Sequence, residues 1–237
     1  MGRRLVLLAL LLAVVAVAWL GYVYALPWVN TRSHTARLLD YLRNPAAHAD
    51  WQLAGGTQCP GAPFLLPTDG LVGFGYDDAF ALGHRHQGLD IFGPTELGAT
   101  PVYAAYAGYL TRLPEWVSTV IVRIPADPLE PTRQIWAYYT HMADPNGRPF
   151  ISADFPPGTI DLPVAAGTLL GYQGNYSGDP AAPVGMHLHF SIVRDDGQGH
   201  FLNELEIDNT LDPSPYLGVP ANHAADWSAP PVCAPTP

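Results

Sequence analysis

Lysine is absent from this chain of 237 residues. All eleven basic residues are arginine, set against 21 acids for a formal net charge of −10. Beyond Asn44 the imbalance sharpens to six arginines against twenty acids, which argues against a basic surface for nucleic acid. Cysteine is scarce: Cys59 and Cys233 are the only two, and no Cys-x-x-Cys occurs, so a thiolate zinc site has no support. The helix-borne zinc motif His-Glu-x-x-His is missing as well, and with it a glutamate placed as general base. There is no internal repeat and no low-complexity tract. Charged residues make up only 14% of the chain and apolar ones 48%, enough to bury a full core in one domain or two small ones.

The longest uncharged stretch stands at the start. Residues 5–29 carry no charge, are almost wholly apolar and follow Arg3 and Arg4. At ~1.5 Å rise per residue such a run is long enough to span a bilayer, and its length favours an uncleaved anchor over a signal peptide. Ala16-Val17-Ala18 and Val23-Tyr24-Ala25 nevertheless offer small residues to a signal peptidase. Residues 33–43 bring Leu38, Leu39 and Leu42 to helical spacing behind Ser33 as N-cap, and Asn44-Pro45 stops the helix. His34 and His48 are expected to be solvated. The division that follows is an anchor or signal peptide over 1–29, a juxtamembrane helix and linker over 30–62, a globular domain over 63–220 and a Pro-rich tail over 221–237. In an oxidising compartment Cys59 and Cys233 would form one disulfide closing a long loop and holding that tail.

From Pro63 the texture changes to short apolar runs cut by Gly, Pro and Asp, at 64–66, 71–74, 89–92, 101–105, 108–110, 119–124, 134–139, 168–172 and 188–193. Short β-rich runs with no long helical period between them predict a mainly β fold. The expected architecture is an antiparallel β-sandwich or open barrel-like domain with a cleft, preceded by one N-terminal transmembrane helix. Residues 144–163, with five prolines, and residues 195–209 read as surface loops.

Two stretches carry chemistry-bearing residues at strand spacing. In Gly185-Met186-His187-Leu188-His189-Phe190, residues two apart share a face, so His187 and His189 look into one cleft while Leu188 and Phe190 turn to a core. His86-Gln87-Gly88-Leu89-Asp90 opens another strand with two metal-ligand types, and Gly88 would let the backbone turn tightly so that both reach one ion. His84 is a nearby competitor ligand, out of register with Asp90. A third histidine, His141, ends the run Tyr138-Tyr139-Thr140-His141-Met142. A cupin-like metal barrel is an alternative, since His84-x-His86 followed by a carboxylate echoes the cupin pattern. It has Asp where Glu is expected and leaves His187-x-His189 unexplained.

His86-x-x-x-Asp90, then Tyr139-Thr140-His141-Met142, then His187-Leu188-His189 together resemble the lysostaphin-type (LytM-like) zinc metalloendopeptidases. The resemblance runs from about Pro63 to Leu217 and takes in Val164-Ala165-Ala166-Gly167-Thr168-Leu169-Leu170-Gly171 and Gly174-Asn175. It departs from the family at Met142, where Leu is usual, and in the length of residues 144–163. It implies that His86, Asp90 and His189 hold Zn²⁺ and that His141 and His187 flank the attacking water. Two neutral imidazoles and one carboxylate leave such a site with net charge +1, suited to activating water and polarising a peptide carbonyl. The implied substrate is the peptide of bacterial cell-wall peptidoglycan, either stem or cross-link. The implied location is the extracytoplasmic face of the cell membrane, or outside the cell if the leader is cleaved. A family member that lacks activity and serves another wall hydrolase is a further alternative, although all five site positions are filled here.

Overall fold

The computed structural model describes residues 2–22, 26–79 and 83–233, with the side chains of residues 2–4 and 26–30 outside the description. Ten strands form the domain: β1 (Leu71–Phe74), β2 (Leu89–Phe92), β3 (Pro101–Tyr103), β4 (Gly108–Arg112), β5 (Val120–Ile124), β6 (Ile135–Thr140), β7 (Thr159–Val164), β8 (Leu169–Tyr172), β9 (Leu188–Arg194) and β10 (Thr210–Leu211). Eight of them make one antiparallel sheet in the order β1-β2-β9-β6-β5-β4-β7, with β10 pairing the far end of β9. The other two, β3 and β8, form a small second sheet. Core residues from both layers, among them Val102 and Leu170 of the small sheet with Leu89, Val122 and Phe190 of the large one, belong to one buried cluster. The fold is thus mainly β and antiparallel, with two unequal layers.

The alternation in the strand sequences decides which face is which. Leu89, Ile91, Leu188, Phe190 and Ile192 are fully buried on the core side. Asp90, His189 and Ser191 occupy the intervening positions and face away from that core. The register pairs Asp90 with His189 across β2 and β9, and His189 with Thr140 across β9 and β6.

Three features differ from the sequence expectations. Residues 159–164, expected within a surface loop, form β7, which escapes notice because it is the edge strand: Ile160 is 61% exposed and Leu162 40%. Pro163 is accommodated there because an edge strand has a side that needs no donor. Residues 64–66 form no strand: Leu65 makes an isolated bridge to Gln58 and donates to Ala105 O, while Phe64 and Leu66 pack into the core. The third difference lies at the N-terminus. The apolar run is divided between α1 (Gly2–Leu20) and α2 (Leu26–Arg43), with residues 23–25, including one cleavage candidate, outside the described residues. Among the described residues no helix is long and apolar enough to cross a membrane, so the transmembrane helix expected over 5–29 finds no support here.

Rather than a spacer, the second half of α2 is a docked element. Thr31, His34, Leu38 and Tyr41 recur at helical spacing and are all buried. Leu38 and Tyr41 pack with Leu71 of β1 and Phe92 of β2. His34, expected in solvent, is 3% exposed, with Nδ1 2.9 Å from Asp78 Oδ2 and its ring stacked on Trp227. His48 is half-buried, stacked on Trp51 and 3.4 Å from Asp40. Because α2 begins at Leu26, Ser33 is an interior residue of the helix and not its cap. Cys59 and Cys233 are joined by a disulfide across 174 residues, which holds residue 233 of the tail against the core.

Leu38 is a buried aliphatic contact of α2 with the sheet, and truncating a buried leucine removes both its transfer free energy and its packing. Leu38→Ala is expected to destabilise the full chain by about 2–4 kcal/mol. Urea unfolding followed by tryptophan fluorescence measures it, and an unchanged midpoint would mean that α2 does not dock in solution.

Candidate metal centre

Five side chains that the sequence singles out converge at one end of the large sheet: His86, Asp90, His141, His187 and His189. Asp90 is in β2 and His189 in β9, directly opposite one another. His86 lies just ahead of β2, His187 just ahead of β9, and His141 just after β6. Donor atoms of His86, Asp90 and His189 all lie within 4.8 Å of one another and all three residues are buried. At the centre Asp90 Oδ1 is 3.0 Å from His86 Nε2 and 2.8 Å from His189 Nδ1, and those two nitrogens are 3.0 Å apart. Tetrahedral ligands at ~2.0–2.1 Å from an ion stand roughly 3.3 Å from each other, so this triangle needs only slight expansion to hold one. The donor set of two imidazoles and a carboxylate fits a divalent transition metal.

The other nitrogen of each imidazole fixes the ring. His86 Nδ1 donates to Gly75 O at 2.8 Å, His141 Nδ1 to Tyr176 O at 2.7 Å and His187 Nδ1 to Gly185 O at 2.6 Å. Each of these bonds leaves Nε2 on the site side. His187 Nε2 is 3.4 Å from Asp90 Oδ1, and the rings of His141 and His187 lie 4.6 Å apart, centroid to centroid. Phe92, the residue against which α2 packs, stacks on His187 from behind at 4.9 Å. His84 lies outside the group whose donor atoms converge.

Two glycines near the site owe their place to close approach. Gly88 does not occupy the left-handed region, so the tight turn expected of it is not the reason for its presence. A Cβ at Gly88 would fall 2.3 Å from Phe190 O on the neighbouring strand, and its absence lets the His-x-Gly-x-Asp segment lie flat against β9. At Gly174 a Cβ would stand 2.2 Å from Ala143 O and 2.3 Å from His141 O. His141 itself has φ 71°, a left-handed conformation uncommon for a residue with a side chain and typical of functional sites where surrounding contacts impose it.

The charges are arranged to coexist. Burial alone would raise the Asp90 carboxyl, yet the adjacent His86 and His187 hold it well below the usual carboxylate range. Burial lowers His189 in turn, but Glu204 and Asp90 on its two sides outweigh that and raise it to about 10. His141 goes the other way: burial, with His187 and His189 beside it, depresses it to about 3, so it is neutral at physiological pH. Glu204 is the residue that sequence reasoning missed. It sits in the loop 195–209 with no motif around it, and its carboxylate is 2.8 Å from His189 Nε2.

Since metal-free His141 resists protonation that the unfolded chain accepts below about 6.5, its share of stability is lost as pH falls from there towards 3. Between pH 6.5 and 4.5 the metal-free His141→Gln protein should therefore lose less stability than the parent, by up to about 1.4 kcal/mol per pH unit. Urea unfolding across that window measures the two slopes, and equal slopes would show that His141 is not held neutral.

No family model matches the chain, and no curated protein matches it. Solved structures do. The catalytic domain of the antimicrobial peptidase lysostaphin from Staphylococcus simulans is 21% identical over 61% of this chain and 87% of that domain, with a TM-score of 0.37. The catalytic domain of a prophage-encoded M23 protein from Enterococcus faecalis is 22% identical over 62% and 94%, with a TM-score of 0.36. A glycyl-glycine endopeptidase described as lytM from Ruminococcus gnavus is 25% identical over 55% and 45%, with a TM-score of 0.35. Of full-length lysostaphin the chain spans about half, 52%. Scores of this size leave the activity to be read from the site itself. By its ordered motifs this chain resembles the lysostaphin-type, LytM-like peptidases.

Proposed function

We propose that this protein is a zinc metalloendopeptidase that hydrolyses peptide bonds of bacterial peptidoglycan, in stems or cross-links. The observation that carries the reading is the buried convergence of His86, Asp90 and His189 with two further histidines, His141 and His187, on its rim. His86 and His189 would hold the ion through nitrogen and Asp90 through oxygen, leaving a fourth position open to solvent chemistry. Zinc in such a set supplies a Lewis acid that activates water and polarises a carbonyl.

The chain's own residues do the rest. No glutamate of a His-Glu-x-x-His motif is present, so proton traffic falls to the two outer histidines. His141 is neutral at physiological pH and its Nδ1–H is already committed to the Tyr176 carbonyl, so its Nε2 lone pair can accept a proton from the attacking water. His187, held by Gly185 O on one side and stacked on Phe92, keeps its Nε2 at the same opening. In its protonated form its Nε2–H would donate to the tetrahedral oxyanion or pass a proton to the leaving amine.

The substrate class rests on the resemblance to wall peptidases. The extracytoplasmic location is supported by the Cys59–Cys233 disulfide, since such a bond persists in an oxidising compartment. The apolar N-terminal segment would then either hold the domain at the cell membrane or be removed on export.

His86→Ala, Asp90→Ala and His189→Ala are each expected to lose bound zinc. His141→Ala and His187→Ala should keep most of it and lose activity by a factor of roughly 10² or more. Metal analysis of the dialysed full chain reads the first half, and digestion of isolated wall sacculi with mass analysis of released peptides reads the second. Stoichiometric zinc in the Asp90→Ala protein would refute the ligand assignment, and undigested sacculi with zinc-loaded parent protein would refute the substrate.

A further inference from the structure

Of the four histidines at the site, three are held by backbone carbonyls. His189 is held by a carboxylate. Glu204 Oε1 lies 2.8 Å from His189 Nε2, and the same oxygen accepts the hydroxyl of Ser191 at 3.0 Å. Ser191 is two residues beyond His189 on β9 and so shares its face. The Glu204 side chain is only 11% exposed, although the loop that carries it is polar and largely solvated. A carboxylate is rarely buried unless it is paired, and this one is paired with a ring and a hydroxyl of one strand.

Resting on the reading that His86, Asp90 and His189 hold a metal, we propose that Glu204 is a positioning residue that fixes the His189 imidazole with Nδ1 towards the metal. Both ring nitrogens face a carboxylate, Nε2 that of Glu204 and Nδ1 that of Asp90. A metal would take the place of the proton on Nδ1, the atom 2.8 Å from Asp90 Oδ1 and 3.0 Å from His86 Nε2, while Glu204 keeps the proton on Nε2. Without Glu204 the ring could rotate about its Cβ–Cγ bond or take the other tautomer, and Nδ1 would no longer present a lone pair to the ion. Charge points the same way. A divalent ion on two neutral imidazoles and one carboxylate leaves +1 in a buried place, and the Glu204 carboxylate brings the assembly to neutrality. The Ser191 hydroxyl, anchored on the fully buried part of β9, prevents the carboxylate from swinging out into solvent. Carboxylate partners of this kind raise the basicity of a ligating imidazole, and removing one commonly costs 10–100-fold in metal affinity.

The test compares Glu204→Ala and Glu204→Gln in the full chain. Zinc affinity is measured by competition with a chromophoric chelator, and ligand geometry by the visible absorption of the cobalt-substituted protein. Glu204→Ala should bind zinc about 10- to 100-fold more weakly and shift the cobalt bands. Glu204→Gln keeps an oxygen that accepts from Nε2–H but loses the charge, and should keep the parent spectrum with an affinity between those of Glu204→Ala and the parent. A general loss of structure would show in circular dichroism and would not move the cobalt bands of the folded fraction. Parent-like affinity and spectrum in Glu204→Ala would overturn the proposal. If that variant does not fold by circular dichroism, Glu204→Asp decides: the charge is kept but the reach is one methylene shorter, so weakened zinc supports the role and parent-like zinc overturns it. Failure of the underlying reading looks different, because the parent protein would then bind no stoichiometric zinc at all and both proposals would fall together.

Discussion

Everything at this site depends on the register between β2 and β9. Asp90 stands directly opposite His189, and Leu89 and Ile91 stand opposite Phe190 and Leu188. A shift of one residue would turn every side chain of one strand to the other face, carrying the carboxylate into the core and a leucine into the cleft. Burial prevents that slip. The four apolar residues of this ladder are fully buried, so the alternative register would expose them and bury a charge in their place. The geometry of the candidate metal centre is therefore a by-product of hydrophobic alternation: the core side of two strands fixes the position of the cleft side.

Holding that many ionisable groups out of water is unfavourable unless each is answered by a partner. Here the answers form a connected set. Asp90 is contacted by three imidazoles, His189 lies between Asp90 and Glu204, and His86, His141 and His187 each spend one N–H on a backbone carbonyl. The rings are thus oriented before any ligand arrives, which spares binding the cost of ordering them. The left-handed backbone at His141 belongs to the same arrangement, because Gly174 allows a neighbouring strand end to approach that segment where no side chain would fit.

The helix that precedes the domain is coupled to the site through packing. Leu38 and Tyr41 of α2 lie in one cluster with Leu71 and Phe92, and Phe92 stacks on the ring of His187. A segment that reads as a spacer between an N-terminal apolar run and the domain is thereby one layer removed from a histidine of the candidate site. Its buried stripe, Thr31, His34, Leu38 and Tyr41, follows the helical period that its sequence displays, but only the sheet beneath determines that this stripe is covered.

The sequence alone determined the alternation of the central strands, and with it which of His187, Leu188, His189 and Phe190 face the cleft and which the core. Local spacing joined His86 to Asp90 and His187 to His189; that these two pairs and His141 belong to one site came from the resemblance to a family. The sequence was silent where local pattern and environment diverge. β7 reads as loop because an edge strand exposed on both faces has no alternation to display, and His34 reads as solvated because nothing nearby in sequence announces Asp78 and Trp227. Gly88 was legible as necessary but for the wrong reason, since close approach of Phe190 O is a property of two strands and not of one. Glu204 was illegible altogether. Its role arises from a contact across 15 residues between a polar loop and a strand, a distance over which no periodicity operates, and tertiary structure decided it by closing that loop over the one ring nitrogen that still needed an acceptor.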